Sequence, residues 1–344
     1  MFPRLRLIDL TAATLLFSTG LSLAPVTITS LLTPAQAQTN DARQDEAGRL
    51  LTAGLKQYEA RQYAAAIQSF EQALPLFRAT GDRSGMAAAL NNLGIVHGAL
   101  RQYGKEITYY EQALPIYREI GSRSGEARAL NNLGAAYNSL GQYGQAVAYY
   151  GQALPIYREV SDRAGEAMVL LNQGTTYNAM NQFERAAVLL QQALPIFRVT
   201  HNRNDEARSL FQLGRAYQNL KQNNKAIKVY EQALPIYREL KDSYGVAATL
   251  NNLSVIYQSL SQPKVAIRYA EQAVEIYRAV KSQDGQARSL VNLGMAYSAA
   301  AQPDKAIQHL EQASQLFRAM GDEEGEARTQ EILRHLRSTS AKTV

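Results

Sequence analysis

A row of carboxamide side chains recurs along the chain at intervals of forty residues. A carboxamide donates and accepts hydrogen bonds at once, so such a row suits the alternating N–H and C=O groups of an extended peptide. The alternative is that these side chains hydrogen-bond between repeats and serve the fold. Thr52 stands where the row would begin. This carboxamide row consists of Asn92, Asn132, Asn172, Gln212, Asn252 and Asn292.

A row of arginines lies four positions before the carboxamide row, on every other repeat from the third to the seventh and again on the partial copy that follows. The guanidinium group offers a fork of N–H donors that matches a carboxylate. Beside the carboxamides, these arginines favour an acidic or C-terminal peptide segment as partner. The alternative is simple solvated charge near a helix N-terminus. This arginine row consists of Arg128, Arg208, Arg288 and Arg328.

Residues that could perform catalysis form no recognisable pattern. The chain has no cysteine, and its four histidines, His97, His201, His309 and His335, share no spacing. The sequence contains no metal-ligand pair, phosphate-cradling glycine loop or nucleophile elbow. We therefore expect a protein that is not an enzyme and that uses no metal, cofactor or small-molecule substrate.

Composition allows a long packed core, and charge bears on the class of partner. Of its 344 residues 46% are hydrophobic, and 20 tyrosines add bulk to the core. The net charge of +6 permits phosphate binding. Basic residues alternate with acidic ones, however, and the tyrosines fit core positions better than base-stacking positions. We therefore do not expect a nucleic acid partner; weak nucleic-acid binding is a further alternative.

The first 37 residues have the layout of a secretory signal peptide. Arg4 and Arg6 precede a mostly apolar stretch at 10–24, and the small-residue signature at 35–37 predicts cleavage after Ala37. We expect a protein exported to the periplasm or secreted from a bacterium. The alternative is a membrane anchor that keeps the leader.

The remaining chain is built on the forty-residue period, which predicts a stacked array with a binding surface. We expect a linker at 38–46, a capping helix at 327–338 and a tail at 339–344. Alanine and a second, mostly glycine column indicate helices that cross closely. The predicted units are 47–86, 87–126, 127–166, 167–206, 207–246, 247–286 and 287–326.

Each unit reads as two helices joined by turns. In the second unit Leu90, Leu93 and His97 follow helical spacing, and a break at Gln102 separates them from the next helix. Proline recurs inside the second helix, as at Pro115, where it removes a hydrogen bond. We expect it to bend that helix, or else to split it in two.

These columns resemble the tetratricopeptide repeat. Leu93, Gly94, Tyr137, Ala146 and Tyr150, together with Ala153, fall on signature positions, although Glu106 replaces an expected alanine. The length of the unit resembles the repeats of kinesin light chains and of bacterial multi-repeat adaptors. The resemblance implies an all-α, right-handed solenoid of seven helix-turn-helix units.

In this family the first helices line the concave face. Both rows would then project into a groove that binds an extended peptide or protein segment. We expect a non-catalytic interaction scaffold or adaptor. The alternative is a structural module that assembles with copies of itself.

Overall fold

Paired α-helices form the whole of the described structure. The computed structural model describes the backbone of residues 34–340, and each regular element in that range is an α-helix. The first helices are α1 (Pro34–Glu59), α3 (Arg83–Ala99), α5 (Arg123–Ser139), α7 (Arg163–Ala179), α9 (Arg203–Asn219), α11 (Ser243–Ser259), α13 (Gln283–Ala299) and α15 (Glu323–Ser340). The second helices are α2 (Tyr63–Thr80), α4 (Tyr103–Glu119), α6 (Tyr143–Glu159), α8 (Phe183–Val199), α10 (Asn223–Glu239), α12 (Pro263–Ala279) and α14 (Pro303–Met320). The predicted α-solenoid of helix pairs is confirmed.

The ends of the array differ from the sequence prediction. Segment 38–46, expected as a linker, belongs to helix α1. Its Ala, Gln, Arg and Glu residues are good helix formers, and neither Gly nor Pro interrupts them. At the other end α15 begins before the predicted cap and continues through Ser340. Residues 1–33 of the predicted leader and 341–344 of the predicted tail lie outside the described residues.

The turns between helices use a left-handed residue. After α3, Arg101 has φ 57°, and the N–H of Gln102 donates to the carbonyl of His97 at 2.9 Å. This 6→1 bond closes the first helix in a Schellman-type turn. The recurring glutamine is thus the residue immediately before each second helix, at the break that the sequence predicts. Non-glycine residues occupy ten such left-handed positions within the described range.

Small residues allow the two helices of a unit to cross closely. A Cβ added at Gly134 would lie 2.5 Å from the ring of Tyr150, which is 1% exposed. In the sixth unit Ser254 replaces the glycine, and Ala270 replaces the bulky residue that faces it. A change in the size of one residue at the crossing is therefore matched by a change in the residue that faces it. The prediction from the sequence that the two helices approach closely is confirmed.

The prolines lie within continuous second helices. Pro75, Pro115, Pro155, Pro195 and Pro235 each lie inside one unbroken helix. The alternative of two shorter helices is therefore wrong. One lost hydrogen bond does not end a helix whose buried face is held by its neighbours. The bend at these positions stays a prediction.

First helices lie on the inner side of the array. Helices α7 and α9 pack directly on one another, as do α11 and α13. In the described part of the chain, successive second helices make no comparable contact. An array whose first helices approach one another more closely must curve towards them. The first helices consequently form an inner face and the second helices an outer one.

Arginines near the ends of second helices join one unit to the next. The Nε atom of Arg118 donates to the Glu126 carboxylate at 2.8 Å, across the turn between α4 and α5. Glu126 is largely buried and also pairs with Arg123. The same bond recurs from Arg158, Arg198 and Arg318 to the glutamate eight residues on. These four arginines have the structural role that their position near a helix end predicts.

Helix α15 closes the array with polar residues. Arg334 and Arg337 stand where other first helices carry glycine and tyrosine. The guanidinium of Arg337 pairs with Glu311 at 2.5 Å, as the Tyr297 hydroxyl bonds Glu271 at 2.7 Å one unit earlier. None of the helices described combines the length with the apolar character needed to span a membrane.

Candidate functional site

The two predicted rows lie on the inner face, along the first helices. Arg208 and Gln212 are one helical turn apart on α9, and Arg288 and Asn292 repeat this arrangement on α13. The carboxamides are half-buried, whereas the arginines are exposed. The structure therefore brings both rows together on a single surface.

Three members of the carboxamide row donate to an asparagine of the preceding repeat. The Nδ2 atom of Asn132 donates to Oδ1 of Asn91 at 3.4 Å, and Asn172 donates to Asn131 at 3.2 Å. Asn292 donates to an equivalent oxygen, that of Asn251, at 2.9 Å. We call these three bonds the asparagine ladder. At these positions the contacts match the structural alternative, in which the row serves the fold.

The other three members have no such acceptor. The acceptor always lies 41 residues earlier, and for Asn92, Gln212 and Asn252 that residue is apolar. Asn252 turns instead to the Tyr230 hydroxyl at 3.1 Å, and Gln212 accepts from Asn178. Asn92 makes no side-chain hydrogen bond with the described residues. The apolar residues at the acceptor positions are Leu51, Leu171 and Phe211.

An open cleft lies where Leu171 and Phe211 interrupt the ladder. Its volume is about 250 Å³, and Tyr244 forms part of its wall. The Tyr244 ring is 57% exposed and meets the buried Tyr277 ring edge-on, at 5.5 Å between centroids. Phe211 is braced by Tyr237, with ring centroids 6.5 Å apart. We call this the aromatic cleft.

Polar groups line the same cleft. Arg208, Gln212 and Asp242 contribute to its walls. Burial, and next the Asp242 carboxylate, raise the pKa of Tyr237 to about 12, while the Arg208 guanidinium acts in the opposite direction. Asp242 also accepts the N–H of Gly245 and so caps helix α11. The cleft can therefore bury an apolar group while it hydrogen-bonds a neighbouring polar one.

The arginine row is largely paired within the chain. Arg208 bonds Asp205 at 2.5 Å, and Arg288 bonds Asp284 at 2.8 Å, both along one helix. Arg328 pairs with Glu324 in the same way. Arg128 makes no ion pair with the described residues and lies near Tyr117 and Tyr157. Arg128 is thus the member whose guanidinium stays available for a carboxylate.

A second inner-face cleft lies beside the last helix. Its volume is about 400 Å³, and Arg288, Asn292 and Arg328 line it together with Val291 and Phe317. The combination repeats that of the aromatic cleft: a carboxamide and an arginine over apolar side chains. The inner face therefore offers two openings of similar chemistry.

The apolar residues of the aromatic cleft, unlike Arg208 and Gln212, were not predicted from the sequence. Leu171, Phe211 and Tyr244 look like ordinary apolar positions of a repeat. The available signal was the column just before the carboxamide row, which changes from asparagine to an apolar residue at Leu171 and Phe211. Among the described residues, no group of three or more His, Asp or Glu side chains could hold a metal ion.

Several solved structures are similar to this one. A Signal Transduction ATPase with Numerous Domains protein with a tetratricopeptide repeat sensor, from Pyrococcus horikoshii, is 18% identical, with TM-score 0.70. The match covers 84% of this chain and 45% of that one. BtubC from P. vanneervenii is 20% identical, with TM-score 0.56, over 64% of this chain and 92% of its own. The quorum sensor NprR from B. thuringiensis is 13% identical, with TM-score 0.60, over 85% and 87%. At these identities the likeness shows the fold alone.

The family is shown by the sequence itself. No curated protein matches the chain. The tetratricopeptide repeat family, in contrast, matches it at residues 46–119, 125–198, 205–279 and 246–319. These segments cover most of the chain and coincide with the helix pairs described above. The chain belongs to the tetratricopeptide repeat family.

Proposed function

We propose that this protein is a non-catalytic scaffold that holds an extended segment of a partner protein along its inner face. The observation that carries the proposal is the aromatic cleft, where apolar side chains open to solvent between Arg208 and Gln212. An apolar side chain of the partner enters this cleft, and its backbone meets the neighbouring polar groups. Two of the similar structures are described as sensors, which agrees with a recognition role.

Members of the carboxamide row differ in what they hydrogen-bond, and we infer that they differ in function. Asn132, Asn172 and Asn292 fix neighbouring repeats and leave their oxygens for a ligand. At the interruption marked by Leu171, the carboxamide of Gln212 lies beside the opening of the aromatic cleft. We therefore propose that residues at the interruption select the partner segment, and that the ladder keeps the groove continuous from one repeat to the next.

Selection of random displayed peptides on the chain tests this proposal. We expect enriched peptides to carry a bulky apolar side chain, since burying one contributes about 1.5–3 kcal/mol. The substitution Phe211→Asn places in the fifth repeat the residue found in the second, third and sixth. It should weaken binding of the enriched peptides by roughly tenfold to a hundredfold.

Val199→Asn is the matched control. Val199 is 79% exposed, at the end of a second helix, so the same apolar-to-amide change there should leave binding intact. The proposal fails if no apolar peptides are enriched, or if Phe211→Asn binds them as tightly as the parent chain.

Self-assembly remains the competing function. A polar last helix, with Arg334 and Arg337 in columns of glycine and tyrosine, disfavours end-to-end stacking of arrays. A solution mass that corresponds to one chain at micromolar concentration would support the scaffold over self-assembly.

We also propose that the scaffold works outside the cytoplasm, or on its border if the leader is retained as an anchor. This rests on the signal-peptide layout of residues 1–37. Sequencing the N-terminus of the exported protein checks it, since cleavage after Ala37 leaves Gln38 first. An intact leader on soluble, cytoplasmic protein would contradict the proposal.

A further inference from the structure

The array neutralises most arginines at the ends of its second helices, but not all of them. Arg118, Arg158, Arg198 and Arg318 each bond a glutamate eight residues on. In three other units that glutamate is missing, and the arginine makes no ion pair with the described residues. The unpaired arginines and their replaced partners are Arg78 with Met86, Arg238 with Val246, and Arg278 with Gln286.

Two of the unpaired arginines are neighbours, and each has a lysine beside it. Arg238 and Lys241 lie at the turn after α10, and Arg278 and Lys281 lie at the equivalent turn after α12. All four side chains are exposed. Arg78, in contrast, is followed at the lysine position by Gly81. We call the four cations of the fifth and sixth units the basic edge.

Acids close to the basic edge are mostly engaged elsewhere. Glu239 is held by Arg203 at 2.9 Å. Asp242 accepts the backbone N–H of Gly245, and Asp284 pairs with Arg288. Glu275 is exposed and makes no ion pair with the described residues. The backbone bond of Asp242 pairs it with no cation, so four cations meet two carboxylates without an ion pair along two adjacent turns. The balance leaves a locally positive potential.

The basic edge also has an apolar floor. A cleft of about 400 Å³ is lined by Arg238, Lys241, Val246 and Ile276. Val246 fills the place of the missing glutamate and leaves the arginine without a partner. Val246 is itself buried, so the half-buried Ile276 presents the apolar surface of the cleft. Tyr237 also lines this cleft but is buried, so its face is not presented for base stacking. Such a surface suits carboxylates on a polypeptide better than a nucleic acid strand.

We propose that the basic edge is a second docking surface, which binds an acidic, extended segment of a protein. Its cleft shares Tyr237 with the aromatic cleft and is otherwise lined by different residues. Carboxylates of the segment pair with the cations of two successive turns, while its aliphatic groups cover the half-buried Ile276. The arginines of this surface are free because their units lack the glutamate eight residues on.

Restoring the missing glutamates tests the proposal without removing any cation. The probe is a fluorescent peptide of alternating Glu and Ser, with a peptide of alternating Gln and Ser for comparison. Only the acidic peptide should bind the parent chain, and its affinity should fall as salt rises. Val246→Glu combined with Gln286→Glu should weaken binding at least roughly tenfold, because each arginine gains an internal partner.

Met86→Glu is the matched control, since it gives Arg78 the same internal partner outside the basic edge; it should bind as the parent does. Arg238→Gln with Arg278→Gln leaves the core untouched and should lose binding to the same extent. Circular dichroism of every variant verifies folding. Equal binding by the double glutamate variant, or equal affinity for a single-stranded oligonucleotide, overturns the proposal.

Discussion

At the scale of single residues, Glu106 is an exception to the pattern of its column. The corresponding positions of six other units are alanine, whereas the Glu106 side chain is buried at the helix crossing. A Cβ at Gly98 would lie 2.7 Å from its carboxyl group, so this glycine makes room for it. Burial raises the pKa of Glu106 to about 7, and the Tyr110 hydroxyl acts in the opposite direction.

This raised pKa predicts a defined dependence of stability on pH. The folded state binds the Glu106 proton more tightly than the unfolded chain does. The contribution is thus fully present below the ordinary glutamate pKa of 4.5 and is lost as pH rises through about 7. We expect a loss on the order of 2 kcal/mol over that range.

Chemical denaturation at pH 4.5 and pH 8 measures the effect. Glu106→Gln keeps the shape of the side chain but cannot ionise, so its stability should fall less than that of the parent over the same interval. An identical pH slope for the two proteins would show that Glu106 is not the responsible group.

The positions of the carboxamides were predicted from the sequence more successfully than their hydrogen-bond partners. The carboxamide row lies where periodicity placed it, on one face of the first helices. Which residue of the previous repeat a member bonds depends on the residue 41 positions earlier. That residue is Asn91 for Asn132, which bonds it, but Phe211 for Asn252, which bonds Tyr230 instead. That dependence becomes visible only when the repeats are stacked in space.

At the scale of helices, the crossing within each unit tolerates one large residue and one small residue. Gly134 faces Tyr150, and Gly94 and Gly214 face Tyr110 and Tyr230 in the same way. Because the helices and rings are fixed by packing on both sides, a new methyl group cannot be accommodated by a simple rotation.

Gly134→Ala should therefore destabilise the protein, by about 1–3 kcal/mol. Although alanine favours helix intrinsically, the clash with the Tyr150 ring outweighs that gain. Thermal unfolding followed by circular dichroism provides the measurement.

Ser254→Ala serves as the control at the equivalent crossing. Ser254 faces Ala270, and its buried hydroxyl has no hydrogen-bond partner within the described residues. Removing it should be neutral or slightly stabilising. Equal destabilisation by Gly134→Ala and Ser254→Ala would contradict the explanation that the sizes of the two facing residues are matched.

The helix pairs could be predicted because the forty-residue period, the columns of small residues and the turn residues all indicate the same helices. The start of α1 was not, since residues 38–46 lie before the first full copy of the repeat and were assigned to a linker. Periodicity identifies repeated segments, whereas helix propensity also acts on unrepeated ones. The alternative that proline splits the second helix was wrong for the opposite reason. The low helix propensity of one residue is outweighed by the packing of the whole helix.

At the scale of the whole molecule, each unit contacts mainly its neighbours along the chain. Stability in such an array is approximately a sum of unit terms and interface terms. Removing residues 127–166 joins equivalent positions of two first helices and lets Asn172 meet Asn91. We expect a folded protein with unchanged helicity per residue and a denaturant m-value lower by about one seventh.

Removing residues 127–146 instead deletes half a unit. This joins the start of a first helix to the interior of a second helix, so buried columns no longer face one another. Circular dichroism and urea titration should show loss of cooperative unfolding. A half-unit deletion as stable as the full-unit deletion would contradict a repeat of forty residues as the structural unit.

Within residues 34–340, successive first helices contact one another more than successive second helices do, so we expect the array to be mechanically compliant. A small rotation at each interface changes its pitch and curvature without separating any packed pair. Strain imposed by a bound segment is shared among the interfaces, and no single hinge has to absorb it. The molecule should therefore behave as a spring whose rest length differs between its free and occupied forms.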